Sequence, residues 1–143
     1  MHEPMRDTST RERAGMAALV ALTPAARDAM GREYLVLEHL PFRVGRESRA
    51  DPAPAATERR GRTRPANDLY ITEGRPGGWV SREHFLIERS EQGFVLVDRG
   101  SRTGTLVGGR SAAGHGGRVP LHDQDVIIVG PIDSPFVFRF RCD

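Results

Sequence analysis

Three short turns in this sequence carry side chains that suit the binding of a phosphate group. A phosphomonoester has about −1.5 to −2 charges near pH 7 and three acceptor oxygens, so it needs several oriented donors, preferably with guanidinium groups among them. The turns that supply such donors are Gly45-Arg46, residues 81–84 and residues 98–105. The side chains that would face one another if these turns met are Arg46, Ser81, Arg82 and Arg102. The sequence therefore predicts a phosphate-binding site assembled from distant segments.

The elements that must bring these turns together are short strands. Apolar segments of strand length alternate with turn signals, many of them rich in Gly or Pro. The segments cover residues 18–22, 33–37, 42–44, 69–71, 85–90, 93–98, 105–107, 125–129 and 136–141, with one more around Val119. No longer run shows a strong helical period. We predict an all-β fold, an antiparallel β-sandwich of about 10–11 short strands whose loops converge at one end.

The last of these segments has a strict alternation of side chains. Its aromatic positions are Phe136, Phe138 and Phe140, and the positions between and after them are Val137, Arg139 and Arg141. Because successive side chains of a strand point to opposite faces, this pattern places the three aromatic rings on one face. The segment is therefore predicted to be a half-buried strand.

The chain of 143 residues suits one domain preceded by a tail. Residues 1–15 are polar and charged, so we expect a flexible tail there and the β-sandwich domain at residues 16–143. Residues 47–66 have almost no large apolar side chain and predict a long loop, either a specificity element or an insertion without consequence. Its arginines could contact nucleic acid or an acidic partner, or could form a solvated surface. They are Arg59, Arg60, Arg62 and Arg64.

Composition excludes several classes of function. The formal net charge is only +2 and all 21 basic residues are arginine, which is not the dense positive charge of a dedicated nucleic-acid binder. Cys142 is the single cysteine, which excludes a disulfide within the chain and a cysteine-based metal cluster and favours a cytoplasmic location. The apolar run at residues 16–22 is too short to span a bilayer. We expect no nucleic-acid partner, no membrane association and no cofactor.

Four motifs together resemble the signature of the forkhead-associated (FHA) domain family in order and spacing. They are Gly45-Arg46, Ser81-Arg82-Glu83-His84-Phe85-Leu86-Ile87, residues 96–109 and residues 121–130. The resemblance spans residues 16–141 and implies an FHA/SMAD-like sandwich that binds phosphothreonine peptides. It further implies a module that is not an enzyme and that recognises a threonine-phosphorylated protein or peptide in kinase-linked signalling or secretion control. The oligomeric state is left open.

The resemblance also implies a role for each residue of the site. The residues implied to bind phosphate are Arg46 and Ser81, with Arg82 adding charge and Arg102 or its backbone completing the pocket. His84 is implied to brace the binding loops through hydrogen bonds without touching the ligand. The residues implied to shape the surrounding turns are Gly45, Gly104 and Thr105.

One position departs from the family pattern. The family usually has Asn immediately before Gly-Thr, where its amide holds the backbone of the peptide, whereas this chain has Thr103. Threonine offers one short hydroxyl in place of a longer amide that both donates and accepts. We therefore expect the grip on the peptide backbone to depend on Thr103 or on a contact outside the family pattern.

Three other interpretations of these residues stay open. The domain could be a scaffold that joins a protein complex without any phosphate, an alternative favoured by Thr103. Ser81 and His84 could form a nucleophile and base, although no Gly-x-Ser-x-Gly motif accompanies them. A metal site could be built from a third group, although its spacing is not a recognised ligand pattern. That group consists of His115, His122, Asp123 and Asp125.

Overall fold

The computed structural model of the chain describes residues 16–47, 67–74 and 77–143. These residues form eleven β-strands, one α-helix and one 3-10 helix. In chain order the elements are β1 (Ala17–Ala21), α1 (Pro24–Met30), β2 (Tyr34–Leu37), β3 (Phe42–Arg46), β4 (Leu69–Ile71), β5 (Phe85–Ser90), β6 (Gly93–Asp98), β7 (Thr105–Val107), β8 (Arg110–Ser111), the 3-10 helix (Ala113–His115), β9 (Arg118–Leu121), β10 (Val126–Val129) and β11 (Val137–Cys142). The fold is mostly β, as the sequence predicts.

The strands build two sheets that pack face to face, which confirms the predicted sandwich. One sheet has the strand order β2-β1-β11-β10-β7-β8, and the other has the order β4-β3-β5-β6-β9. One pair departs from the antiparallel pattern, because β4 runs parallel to β3 with Val44 opposite Leu69. Parallel neighbours require a connection of about a dozen residues or more. Residues 47–68, which join these two strands, meet that requirement.

The core lies between the two sheets and takes alternate residues of the central strands. In β11 the side chains of Phe138 and Phe140 are buried, whereas Arg139 is partly exposed and Arg141 is exposed. Phe140 meets Phe94 of the other sheet edge to face, with ring centroids 5.2 Å apart. The alternation predicted for residues 136–141 is confirmed, and the face of β11 that carries Phe138 and Phe140 packs in the core.

Helix α1 departs from the all-β prediction and lies between the segments predicted at residues 18–22 and 33–37. The helix begins at Pro24 because the Thr23 hydroxyl accepts a hydrogen bond from the Ala26 amide and proline suits the first helical turn. It ends at Gly31, which adopts a left-handed conformation with φ of 76°. With only seven residues, α1 is too short to show a helical period in the sequence.

No helix in the described part of the chain is long and apolar enough to cross a membrane.

The loops expected to carry the site leave the sandwich at one end, which we call the loop end. Strand β6 finishes there and β5 begins there, since Asp98 pairs with Phe85. In the other sheet β7 begins at the same end, because the Thr105 hydroxyl donates to the Asp98 carboxylate. At the opposite end of the sandwich Ala17, the first residue of β1, pairs with Cys142, the last residue of β11.

We predict that Phe140→Ala lowers the free energy of unfolding by about 3–5 kcal/mol, because it leaves a cavity between the sheets where the ring is fully buried. Denaturant unfolding measures this loss. Tyr34→Ala is the control, because Tyr34 is 53% exposed and its removal is expected to cost about 0.5 kcal/mol or less. Equal losses for the two variants would contradict the position of the core.

Candidate phosphate-binding site

Arg46 is the last residue of β3 and is held against the turn that precedes β5. Its backbone amide donates to the Ser81 carbonyl at 2.9 Å, and its Nη1 donates to the Val80 carbonyl at 3.0 Å. The side chain is partly exposed. Because a guanidinium group has five N–H donors and one is used here, Arg46 can brace this turn and still donate to an anion.

Gly45 permits a close approach of two backbone segments beside Arg46. A Cβ atom on this residue would overlap the carbonyl oxygen of Arg82 and would lie 2.6 Å from Nδ2 of Asn67. Any other residue would therefore push the turn of Ser81 and Arg82 away from β3. This contact gives a physical reason for glycine at this position.

Ser81 links two of the three predicted turns through its hydroxyl. Its Oγ accepts a hydrogen bond from the backbone amide of Arg102 at 2.9 Å. Since a hydroxyl that accepts this bond keeps its own proton, Ser81 can donate to an anion outside. The side chains of Arg82 and Arg102 are exposed beside it. Arg102 therefore contributes its backbone to the turn and leaves its guanidinium in solvent.

His84 is fully buried and bridges the same two turns from beneath. Its Nδ1 accepts from the Ser81 amide at 3.0 Å, so Nε2 carries the proton and donates to the Gly104 carbonyl at 2.7 Å. Burial lowers the pKa of His84, and this outweighs the nearby charges of Asp98 and Glu73 that favour protonation. The imidazole is therefore neutral, with both nitrogen atoms occupied by backbone groups.

This arrangement bears on the interpretation of Ser81 and His84 as nucleophile and base. A base must accept the proton of the hydroxyl, but Nδ1 of His84 faces the backbone amide of Ser81 and Nε2 already carries a proton. The hydroxyl of Ser81 is instead paired with Arg102. His84 has the geometry of a brace between two loops.

Asp98 organises the turn between β6 and β7. Its Oδ1 accepts from the amides of Gly100 and Ser101, at 2.9 Å and 2.7 Å. Its Oδ2 accepts from the hydroxyls of Ser101 and Thr105, at 2.7 Å and 2.9 Å. Gly104 completes the turn with φ of 91°, a value that favours glycine. Thr105 is buried and acts on the turn, not on a ligand.

Thr103 uses its hydroxyl inside the protein. Its Oγ1 donates to the carbonyl of Trp79 at 2.6 Å, and Trp79 packs against the edge of the core. The single hydroxyl proton is therefore committed to the segment just before Ser81. Thr103 cannot also donate that proton to a peptide, although its oxygen can still accept.

Glu73 is a residue of the site that the sequence did not reveal. Its carboxylate accepts from three successive backbone amides, those of Gly78 at 3.3 Å, Trp79 at 2.6 Å and Val80 at 2.9 Å. Together with Thr103 it fixes the segment that presents Ser81. In the sequence Glu73 is only an acidic residue before a glycine-rich turn, and that pattern is too common to indicate that its carboxylate holds this segment.

Three arginines around Ser81 have no carboxylate partner in the described part of the chain. Among the described residues, Arg46, Arg82 and Arg102 form no ion pair. Other arginines do pair with carboxylates, and these are Arg27, Arg43, Arg99, Arg118 and Arg141. No described carboxylate therefore pairs with these three guanidinium groups, so they can still donate to an anion.

The residues considered as an alternative metal site do not form a cluster of three ligands in the described part of the chain. Nδ1 of His122 lies 3.7 Å from the carboxylate of Asp125, and Nδ1 of His115 bonds to the Ser111 carbonyl at 2.9 Å. Within residues 16–47, 67–74 and 77–143, no group of three or more His, Cys, Asp or Glu side chains could hold a metal ion.

The predictions for residues 1–15 and for the arginine-rich residues 48–66 lie outside the described residues.

Comparison with known proteins identifies a family. A family model of the FHA domain matches residues 42–130. The chain resembles the solved FHA domain of an Arabidopsis thaliana hypothetical protein, with 22% identity, a TM-score of 0.59, and coverage of 90% of this chain and 86% of that one. It also resembles the FHA domain of CT664 protein from Chlamydia trachomatis, with 16% identity, a TM-score of 0.56, and coverage of 90% and 98%.

A third solved structure adds a ligand to this comparison. Mycobacterium tuberculosis EmbR, in complex with a low affinity phosphopeptide, matches with 20% identity and a TM-score of 0.58. The match covers 97% of this chain and 29% of that one. At these identities the likeness shows the fold. No curated protein matches the sequence.

We predict that the stability of the fold falls as the pH drops below 6.5, the ordinary pKa of histidine, because the pKa of His84 is lowered in the folded state. The unfolded chain then binds the proton more readily, so the contribution of His84 is complete above pH 6.5 and is lost below it. Thermal melting between about pH 5 and about pH 7.5 measures the effect.

The control for this experiment is His122→Asn, which removes an exposed histidine and is expected to keep the wild-type pH profile. His84→Asn is expected to melt at a lower temperature and to show a flatter profile over the same range. A wild-type melting temperature that does not change across this range would contradict the neutral, buried state of His84.

Proposed function

Because this chain belongs to the FHA-domain family, we propose that it is a recognition module for threonine-phosphorylated proteins. The observation that carries the proposal is the hydroxyl of Ser81, which keeps a free proton and lies in the turn next to Arg46, Arg82 and Arg102, whose guanidinium groups form no ion pair with a described carboxylate. A phosphate dianion needs this combination of oriented donors and positive charge. The complex of EmbR with a phosphopeptide supports the same assignment.

Each residue has a part in the proposed binding. Ser81 donates its hydroxyl proton to one phosphate oxygen, and Arg46 donates free N–H groups to another. Arg82 and Arg102 add charge from the exposed rim. Charge-assisted hydrogen bonds contribute roughly 1.5–3 kcal/mol each, which only partly offsets the entropy of docking a short peptide. We therefore expect affinity near micromolar, a binding free energy of about −8 kcal/mol.

The proposal extends to the residue that carries the phosphate and to the biological setting. The family resemblance implies a small niche for the methyl group of phosphothreonine, which favours it over phosphoserine by roughly 1 kcal/mol. The module is not an enzyme and acts as an adaptor in Ser/Thr-kinase-linked signalling or secretion control. We propose a cytoplasmic location for it, consistent with its single cysteine.

We predict that Arg46→Ala reduces affinity for a selected phosphothreonine peptide by roughly ten- to a hundredfold, because it removes a charge-assisted bond to the phosphate. The peptide is first selected from an oriented phosphopeptide library with the wild-type chain. Isothermal titration calorimetry of that peptide, before and after dephosphorylation, then gives the two affinities. Dephosphorylation is expected to abolish binding.

The matched control is Arg141→Ala, which removes the same charge from an exposed arginine near the opposite end of the sandwich. It is expected to bind as the wild type does. Unchanged binding by Arg46→Ala would show that the phosphate is held elsewhere. Failure of the wild-type chain to select any phosphopeptide would overturn the proposed function itself.

A second candidate function is a scaffold that binds its partner without phosphate. The observation that favours it is the commitment of the Thr103 hydroxyl to the Trp79 carbonyl, which removes a donor from the position where the family usually holds the peptide backbone. A protein partner captured equally well by the wild type and by Arg46→Ala would decide for the scaffold.

We predict that Thr103→Val weakens phosphopeptide binding about fivefold, because it removes the hydrogen bond of about 1 kcal/mol that steadies the segment before Ser81. Thr103→Ser keeps the hydroxyl and is expected to bind within about twofold of the wild type. The same calorimetric titration measures both variants. Equal affinity of Thr103→Val and the wild type would show that this hydrogen bond is not needed for binding.

A further inference from the structure

A buried amide side chain lies under the turn that presents the phosphate-binding groups. Asn67 is only 2% exposed and uses both ends of its amide. Its Nδ2 donates to the Arg82 carbonyl at 2.8 Å, and its Oδ1 accepts from Nη1 of Arg99 at 2.6 Å. Because a carbonyl can only accept and a guanidinium can only donate, these two partners fix the orientation of the amide.

Arg99 holds this amide while bonding to the turn itself. Its backbone amide donates to the His84 carbonyl at 2.9 Å, and its Nη2 lies 3.6 Å from the carboxylate of Glu83. Arg99 therefore contacts Asn67 and also Glu83 and His84, which follow Arg82 in the chain. Its guanidinium is mostly buried, with the side chain 14% exposed, unlike the exposed groups of Arg82 and Arg102.

The Arg82 carbonyl is the point through which Asn67 acts on the turn. On one side of it the Arg46 amide donates to the Ser81 carbonyl at 2.9 Å, and on the other the His84 amide donates to the Val44 carbonyl at 3.0 Å. Between these two bonds the Arg82 carbonyl lies over Gly45, which offers no side chain, and receives its donor from Asn67. The three bonds together set where Ser81 and Arg82 stand relative to Arg46.

We propose that Asn67 is a positioning residue of the phosphate site, that it acts through the Arg82 peptide, and that Arg99 holds it in place. The inference rests on the proposed function, since it assigns a role in phosphate binding to a residue that does not touch the ligand. Without its amide, the Arg82 carbonyl loses its donor and the turn is free to shift. Ser81 and Arg82 then no longer converge with Arg46 on one phosphate.

The test uses the full chain and the phosphothreonine peptide selected by the wild type. Asn67→Ala is expected to bind this peptide about tenfold more weakly, an effect of about 1.4 kcal/mol. In the unliganded protein, the backbone amide signals of Ser81 and Arg102 are expected to shift in the NMR spectrum. Leu121→Ala is the control, because Leu121 is buried in β9 beside the far end of β6, and it should destabilise the fold without changing affinity.

A double-mutant cycle separates positioning from general stability. In the Ser81→Ala background, Asn67→Ala is expected to cost clearly less than the tenfold expected in the wild type, because Ser81, one of the two groups that it positions, is already absent. Full additivity of the two losses would overturn the inference. Arg99→Ala provides a second variant if Asn67→Ala does not fold, and a several-fold loss of affinity is expected from it.

The outcomes distinguish this inference from the function on which it rests. If the wild type binds the peptide and both Asn67→Ala and Arg99→Ala bind it equally well, the positioning role is wrong and the proposed function stands. If the wild type binds no phosphopeptide, the proposed function is wrong. A loss of affinity in Asn67→Ala that Leu121→Ala does not share, with non-additivity toward Ser81→Ala, supports the inference.

Discussion

The buried imidazole of His84 is the contact on which the rest of the site depends. It accepts from the backbone of Ser81, which leads into β5 of one sheet, and donates to the backbone of Gly104, which leads into β7 of the other. The ring therefore fastens the two sheets together at the loop end. Only a neutral histidine with one donor and one acceptor can make both bonds, so burial and tautomer are parts of one constraint.

Around this contact, some side chains bond to the backbone of the loops, and others remain available to bind an anion. The carboxylates of Glu73 and Asp98 are filled by backbone amides, and Thr103 is committed to a carbonyl. No buried side-chain nitrogen or oxygen atom in the described part of the chain lacks a partner. The carboxylates of Glu73 and Asp98 are thereby held by backbone amides and hydroxyls, and neither forms an ion pair with Arg46, Arg82 or Arg102 in the described part of the chain.

Much of the fold could be predicted because strands bury alternate residues, and that period is visible in sequence. Strands β4, β5, β6 and β7 have the predicted bounds. Helix α1 was missed because its single buried pair, Ala26 and Met30, gives no repeat. Strand β8 has two residues, too few for any pattern. The parallel pairing of β3 and β4 depends on how a long connection returns, which local sequence does not encode.

The site could be predicted in part for a different reason. Arg46, Ser81 and His84 stand in motifs of fixed spacing, so their convergence could be expected before any coordinates. Asn67 and Glu73 act on the backbone of residues distant in the sequence, and such contacts arise only once the chain is folded. The Thr103 hydroxyl was expected near the peptide, but the approach of Trp79 gives it a partner within the protein.

The pairing of Ala17 with Cys142 has a practical consequence for how the domain can be used. The first and last strands lie side by side in one sheet, and their outer ends meet at the end of the sandwich away from the loops. A neighbouring domain, a fluorescent label or a surface tether joined directly to Ala17 or Cys142 would leave the sandwich at the end opposite its loops. The adjacent strand ends thus suit insertion of the sandwich into another chain without obstruction of its loops.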